Sequence, residues 1–536
     1  MPELLSINCW ENFYRSPASV VFLHQIYGTD AAVTAIQKDY LAVLATFKQY
    51  FGAQAKIFFI RVPARINLLG VHIEHRGGFI NTLTINRELI LAIAPRTDNK
   101  IFFVNTDSQY PPFEFSMSDV AQPGKRYDWL ESINSIQLVK GRWENYIKSA
   151  CFYLQNQFDF PLTGFNAAIN GKIPPAAGLS SSSALVVGTM EALDYINHLN
   201  LTQEQKTLFC GEAEWYVGTR GGAGDHGSII YGKKNHLTHL QFFPLRVEKI
   251  PFPDELAIIA CHSLVEAKKS AGARDIFNSR VATYEIACSL LRKYFPEYAN
   301  VQFLRDYNPH HLKISLQELY KMLMALPLRM KRTDVYQQLP AEQSRFERIF
   351  SAHSEPKDGY SVRGVCLYGL SECARSELTS FLIKTKNYRE LGEIMLISHD
   401  GDRVVKNNGK LLPAPYNKNF GDNYFHKLIE DLSSNNPEIQ KRASLAYQAG
   451  GYDCSTPELD LLVDIASEAD GVYGAGLTGA GLGGIVLVLL EKKAVSHFMN
   501  HIRKTYYEPR QLPFAAEECK SVDGISIIDG NIKELI

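Results

Sequence analysis

The sequence predicts a mixed helix-and-strand protein of more than one domain, and three observations carry that prediction. The chain has 536 residues, 46% hydrophobic and 21% charged, an ordinary globular composition with room for two to four domains of ~150 residues each. Apolar residues recur at helical spacing over long stretches in both halves. Between those stretches lie short continuous apolar runs that read as strands.

The elements follow in order. Residues 1–55 read as helical, with Val33, Ile36, Tyr40, Leu44 and Phe47 at helical spacing. Strands are expected at 57–62, at 88–94 (stopped by Pro95) and at 101–104. Helix returns over 143–154. A strand at 165–169 leads into Pro174-Pro175-Ala176-Ala177-Gly178-Leu179-Ser180-Ser181-Ser182-Ser183-Ala184, and a helix-like run begins at Leu185. A helix over 203–217 precedes a loop of small residues, 218–227. The second half opens with a strand at 256–261 and continues with helices at 279–294 and 362–384. A strand pair is expected near the end, at 484–490 and 524–528. The stretches near 300–360 and 402–436 read as insertions.

Composition excludes several classes. Net charge is −1, and no basic tract favours nucleic acid. The nine cysteines are scattered with no C-x-x-C pair, so neither a zinc site nor a disulfide framework is indicated. No basic n-region followed by an apolar run opens the chain. No apolar stretch approaches the ~20 residues of a membrane span. The expectation is a soluble cytoplasmic protein, monomer or small homo-oligomer, that meets neither nucleic acid nor membrane.

Four segments distant in sequence suit parts of one site. The serine loop, Ala177 to Ser183, runs into a helix start, where unpaired N–H groups and the positive dipole end favour a phosphate. Its hydroxyls can cap the helix, bind phosphate or ligate Mg²⁺; a plain N-cap would also account for them. The second segment, Arg65 to Arg76, packs two arginines, two histidines and a glutamate into one short span after a strand. Such a cluster can grip a polyhydroxylated ligand, or be a salt-bridged surface turn. The third is Gly224-Asp225-His226. A carboxylate there can accept a hydroxyl proton or orient the hydroxyl for attack on a γ-phosphate, though Asp is also common in turns. The fourth is the glycine-rich 474–484, open to reading as a nucleotide loop or as a turn cluster.

In this order the four segments resemble the GHMP kinases, and within them the galactokinase branch. Residues 62–70 (Val-Pro-Ala-Arg-Ile-Asn-Leu-Leu-Gly) resemble the branch signature A-P-G-R-V-N-L-I-G. Residues 175–182 resemble its phosphate loop, 478–484 its third motif, and Cys454 to Asp460 its S-C-P-E-L-D. The resemblance implies an α+β fold of two lobes, one like ribosomal S5 domain 2 over 1–245 and one ferredoxin-like over 246–536, with the site in the cleft between them. It implies ATP and Mg²⁺, and a sugar phosphorylated at its anomeric hydroxyl. Asp225 would be the catalytic aspartate and Arg65 the group polarising that hydroxyl. Ser181 or Ser182 and Glu214 would hold the metal. Ala177, Gly178, Leu179, Ser180, Ser181, Ser182 and Ser183 would cradle phosphates. The spacing from Glu214 to Asp225 is about one residue shorter than the family's.

The departures bear on the sugar. Where galactokinases read G-E-H-T-D-Y-N-G-G, this chain reads Gly70-Val71-His72-Ile73-Glu74-His75-Arg76-Gly77-Gly78. Val71 replaces the glutamate that meets the 6-hydroxyl, Glu74 replaces the aspartate that meets O3 and O4, and Phe277 replaces a pocket tyrosine. The pattern is closest to galacturonokinase, G-A-H-I-D-H-Q-G-G followed by T-I-N, matched here by Thr84-Ile85-Asn86. Loss of a carboxylate favours a substrate whose C6 is itself a carboxylate, or one that lacks a C6 oxygen; Arg76, His75, His72 and Arg220 are the candidate partners of a uronate carboxylate. The sugar-binding set is then Val71, His72, Glu74, His75, Arg76, Gly224 and Phe277. Galacturonate is expected ahead of galactose. Drift at Val71 in a neutral-sugar kinase is the other reading. A non-catalytic sugar sensor on the same fold is the alternative of another class, disfavoured because the serine loop has no gap and Arg65 and Asp225 are both present. A kinase of a non-sugar alcohol is disfavoured by the 72–74 and 454–460 segments.

Overall fold

The run Ile57-Phe58-Phe59-Ile60 is apolar without alternation, as a strand covered on both faces must be. In the computed structural model it lies at the centre of a helix–sheet–helix sandwich. The structure describes residues 3–29, 31–119, 127–136, 139, 141–175, 177–218, 221–265, 271–406 and 413–535, except the side chains of 271–274 and 533–535. Two positions of the sequence reading, Ala176 and Arg220, lie outside the described residues.

The first lobe holds β1 (Leu5–Ser6), β2 (Lys56–Leu69), β3 (Phe79–Pro95), β4 (Lys100–Asn105), β5 (Phe113–Ser116), β6 (Phe165–Gly171), β7 (His236–Gln241) and β8 (Arg246–Pro251). The strands run in the order β1-β2-β3-β6-β4-β5, with β7 and β8 extending from β3. Pairing is antiparallel except between β4 and β6. Helices α1 (Ile7–Arg15), α2 (Pro17–Tyr27) and α3 (Val33–Phe51) cover one face. The opposite face carries α4 (Trp129–Ser135), α5 (Glu144–Gln157), α6 (Ser181–Asn197), α7 (Gln203–Ala213) and α8 (Gly224–Tyr231). Side chains alternate across a strand. Ile57 and Phe59 accordingly enter the core beneath α1–α3, while Phe58, Ile60 and Val62 enter the core beneath α5–α7.

The second lobe contains β9 (Leu256–His262) and a long helical excursion. The excursion comprises α9 (Ala271–Tyr294), α10 (Pro309–Leu312), α11 (Leu316–Ala325), α12 (Arg332–Gln338), α13 (Gln343–Phe350), α14 (Val362–Lys384) and α15 (Tyr388–Asp402). A short ribbon, β10 (Val405–Lys406) with β11 (Ala414–Pro415), precedes α16 (Asp422–Leu432) and α17 (Pro437–Arg442). Then come α18 (Pro457–Ser467), β12 (Val472–Leu477), β13 (Ile485–Glu491), α19 (Val495–Ile502), β14 (Ala516–Glu518) and β15 (Ser526–Ile528). The sheet order is β12-β13-β9-β14, all antiparallel. Val486 and Val488 face the α18–α19 side, while Leu487 and Leu489 join the same core as Phe58 and Ile60. One apolar core therefore runs from lobe to lobe.

Several expectations are corrected. Strands β2 and β3 are longer than the apolar runs suggest, so Arg65 and Asn67 lie within a strand and not in a loop after it. Pro63 is accommodated by a register shift between Pro63 and Ala64. The stretches at 484–490 and 524–528 do not pair with each other: β13 lies between β12 and β9, and β15 crosses back to β2. Residues 245 and 246, where the boundary is expected, join the paired strands β7 and β8. Residues 300–360 are helical and bury Leu304, Tyr320, Leu323 and Phe346 against α9 and α14. Among the described residues no helix is long and apolar enough to cross a membrane.

Candidate active site

Strand β2 delivers Arg65 to the cleft, where its guanidinium spans two other segments. Nε and Nη2 reach Asp225 Oδ1 at 2.8 and 2.7 Å, and Nη1 donates to the carbonyl of Gly178 at 2.7 Å. Asp225 sits in the first turn of α8 and not in the loop expected there, since the helix starts at Gly224. Its other oxygen accepts from the Ser180 hydroxyl. Burial disfavours ionisation of Asp225, but the Arg65 charge and the Ser180 hydrogen bond outweigh it and hold the carboxyl below its ordinary value. The Asp225 side chain is still 40% exposed, open to a small molecule in the cleft.

The serine loop explains itself locally. Ser180 is left-handed, φ 61° and ψ 43°, and its side chain makes no capping bond to α6. The hydroxyl goes to Asp225, so the first amides of α6 are left uncapped by the residue before them. Ala177 and Leu179 anchor the loop in the core. Gly178 is also left-handed, φ 80°, and a Cβ there would lie 2.8 Å from the Thr478 carbonyl oxygen. Across from it, a Cβ on Gly479 would lie 2.9 Å from Gly178 Cα. Only glycine permits this approach of two backbones. Thr478 in turn exchanges hydrogen bonds with the backbone of Asn67, 3.2 Å each way. The four segments thus meet at one place.

Ser181 and Ser182 begin α6 and are half-buried. Ser183, one position further, is buried and donates to Glu214 Oε2 at 2.9 Å, with His226 Nε2 2.8 Å from the same oxygen. A serine hydroxyl beside a carboxylate oxygen is the hard donor set magnesium takes, so the residues fit the ion the resemblance implies. Ser183 is the serine that touches Glu214. Among the described residues no group of three or more His, Cys, Asp or Glu is placed to hold a metal by itself. Oxygen ligands from a bound phosphate would have to complete the shell.

The sugar segment is only partly as expected. Glu74 packs against the loop that carries Asp225: a Cβ on Gly222 would lie 2.8 Å, and one on Gly224 3.1 Å, from Glu74 Cγ. Burial opposes its charge, yet His75, 3.9 Å away, holds its carboxyl below the ordinary value. Val71, by contrast, is 6% exposed and packs into the apolar core of the second lobe with Ala257, Leu477 and Val486. Arg76 is committed elsewhere: it pairs with Glu285, donates to the Val281 carbonyl at 3.3 Å and lies over the Tyr284 ring. Its Nη1 and Nη2 are thereby engaged. His72 stacks on Tyr452 at 4.2 Å and points Nε2 toward Asp402, 3.7 Å away. Burial lowers both histidines, His72 to about 4, so neither is cationic at neutral pH. Phe277 is half-buried on α9.

Residues not read from the sequence hold this segment. Glu372 on α14, fully buried, accepts from the amides of Gly70 and Val71 at 2.7 and 3.2 Å and from Arg375 at 2.7 Å. Arg375 in turn donates to the carbonyls of Ala446 and Gln448. Nothing in the sequence near Glu372 signals that role, because its partners are backbone amides about 300 residues away.

Comparison with known proteins agrees with this geometry. Residues 145–233 match the GHMP kinases N terminal domain, 425–508 the GHMP kinases C terminal domain and 45–95 the galactokinase galactose-binding signature. Both domain models of the GHMP kinases and the galactokinase signature therefore match segments of this chain. It is 24% identical to the galactokinase of Roseiflexus sp. strain RS-1 over 91% of this chain and 97% of that one. It is 25% identical to the galactokinase of Dictyostelium discoideum over 88% of each. The fold matches a Lactococcus lactis galactokinase solved with galactose, with a TM-score of 0.63 at 20% identity, covering 92% of this chain and all of that one. Within the family this chain is a sugar kinase of the galactokinase type, a phosphotransferase that uses ATP.

Proposed function

We propose that the protein transfers the γ-phosphoryl group of ATP to the anomeric hydroxyl of a galacto-configured sugar, with Asp225 and Arg65 as its catalytic pair. The observation that carries the reading is the junction Arg65–Asp225–Ser180, where one guanidinium binds both the catalytic carboxylate and the carbonyl of the phosphate-loop glycine. Asp225 remains a carboxylate at neutral pH and orients the attacking hydroxyl. It takes the proton only as the new P–O bond forms, which a loose phosphoryl transition state permits. Arg65 holds that carboxylate in place and offers positive charge beside the acceptor oxygen. The uncapped start of α6 and the amides of the 178–180 loop receive phosphate oxygens. Ser182, Ser183 and Glu214 are the residues to hold magnesium, which when bound offsets phosphate charge. Glu74, Gly224 and His75 line the sugar side.

Galactose is the first substrate we propose, since Arg76 is tied to Glu285 and His72 and His75 are neutral. Galacturonate is the second reading. What favours it is Val71, which leaves the signature turn without the carboxylate that would repel a uronate. ADP release with galactose, galacturonate, glucuronate, arabinose and N-acetylgalactosamine tests both. Turnover greatest with galactose or galacturonate is expected. Binding of a sugar without ADP release would overturn the kinase reading in favour of a sensor.

A further inference from the structure

The turn that carries Glu74, His75 and Arg76 belongs to the first lobe, yet a side chain of the second lobe closes it. Arg305 lies in the helical excursion, on a short turn between α9 and α10. Its Nη1 donates to the carbonyls of Gly77, at 2.7 Å, and Phe242, at 2.5 Å, and its Nη2 donates to the carbonyl of Phe243. Nε reaches Asp306 at 3.2 Å. The guanidinium lies over the Phe303 ring, 5.2 Å from its centre, and Phe303 stacks on Phe243 at 4.9 Å. Gly77 is left-handed, φ 82°, and a Cβ there would meet Arg305 Cδ at 2.9 Å. The arginine therefore lies flat on the end of the sugar turn.

The other end of this contact is the catalytic helix. Phe242, which follows β7, packs beneath α8: a Cβ on Gly227 would lie 3.5 Å from its ring and 2.9 Å from Leu240. Gly227 is two residues beyond Asp225. Arg305 thus ties the turn bearing Glu74, through the Gly77 carbonyl, to the Phe242–Phe243 backbone that packs beneath the helix bearing Asp225. A fork of N–H donors can bridge such carbonyls; a single ammonium cannot do so in one fixed geometry.

We propose that Arg305 is a positioning residue for the sugar, a role that rests on the sugar 1-kinase reading above. It makes no contact with the phosphate loop among its hydrogen bonds, so its loss should separate the two substrates. Arg305→Gln is expected to raise the sugar KM about tenfold, as a misplaced binding group does, with the ATP KM unchanged. Arg305→Lys restores the charge without the fork and is expected to give an intermediate sugar KM with a wild-type melting temperature. Both KM values, kcat and the melting temperature are measured on wild type and both variants. A sugar KM equal to wild type in folded Arg305→Gln, or an ATP KM that rises by the same factor, overturns the role. If Arg305→Gln does not fold, the ratio of the two KM values in Arg305→Lys decides in the same way. A wild-type protein that turns over none of the sugars defeats the kinase reading itself, a different result from active wild type with indifferent variants.

Discussion

At the scale of single residues, Asp225 is the sharpest case. Both its oxygens are engaged, by Arg65 and Ser180, and its charge is favoured by them. Asp225→Asn keeps the shape and removes the charge and the proton acceptor. Turnover is expected to fall by about 10²-fold or more, while ATP binding by calorimetry stays at its wild-type value; near wild-type turnover would remove Asp225 from the mechanism. A second pair concerns stability. Burial raises Asp402 from 3.8 to about 7, against Lys418 and His399, and lowers His72 from 6.5 to about 4, against Glu74 and Glu372. From about pH 4 to 6.5 the folded pair holds one proton, on Asp402, and the unfolded pair also holds one, on His72. The pair then gives stability no slope with pH. Asp402→Asn leaves a proton only on the unfolded chain, so stability should rise with pH across that window, by up to about 1.4 kcal/mol per unit. His72→Asn leaves a proton only on the folded chain, so stability should fall as pH rises from about 4 to 7. Denaturant titrations at several pH values read both slopes, and parallel curves for the two variants would refute the assignment.

Among elements, the closest approach is that of the serine loop and the loop after β12. Gly479→Ala puts a methyl group 2.9 Å from Gly178 Cα at a left-handed position, so strain and a backbone clash act together. The expected result is a loss of about 1–3 kcal/mol with a raised ATP KM, read by denaturation and initial rates. An unchanged ATP KM would mean that this contact does not shape the phosphate loop. That the serine loop, Arg65, Asp225 and the 474–484 glycines meet in one place was legible from the resemblance, because each is a short local motif. Helix α14 was legible over its full length, from spacing alone. Strand β2 was not, because Pro63, Arg65 and Asn67 interrupt its apolar run and only the neighbouring strand holds them extended. The packing of Val71 and the pairing of Arg76 were not legible for another reason. A motif gives the order of side chains but not which way a turn with His72 at φ 66° aims them. Arg305, Glu285 and Glu372 had no local signal, since they act on backbone and side chains brought near only by the fold.

At the scale of the whole molecule, the chain's last strand completes the sheet of its first lobe. Strands β1 and β15 pair with β2 at successive stretches, Leu5–Ser6 with Lys56 and Ile57 and Ser526–Ile528 with residues 59–61. What fastens the return is Arg61, 1% exposed, whose Nη2 donates to the carbonyls of Asp523 and Gly524 at 2.8 and 2.7 Å. Its charge is answered by Glu88 at 3.0 Å on β3, and Tyr27 of α2 donates to the same carboxylate. A buried pair of this kind is weak evidence of net stabilisation, but removing one partner strands the other without its counter-charge. Glu88→Gln is therefore expected to cost about 3–5 kcal/mol, and to loosen β15 before the rest. Amide exchange of residues 523–528 should quicken more than that of β13, whose partners are untouched. Because the cleft lies at the opposite end of β2, at Arg65 and Asn67, both KM values should stay at wild type in the folded variant. Equal acceleration of exchange in both sheets would instead show that the lobes unfold as one unit through the core that Phe58 and Leu487 share.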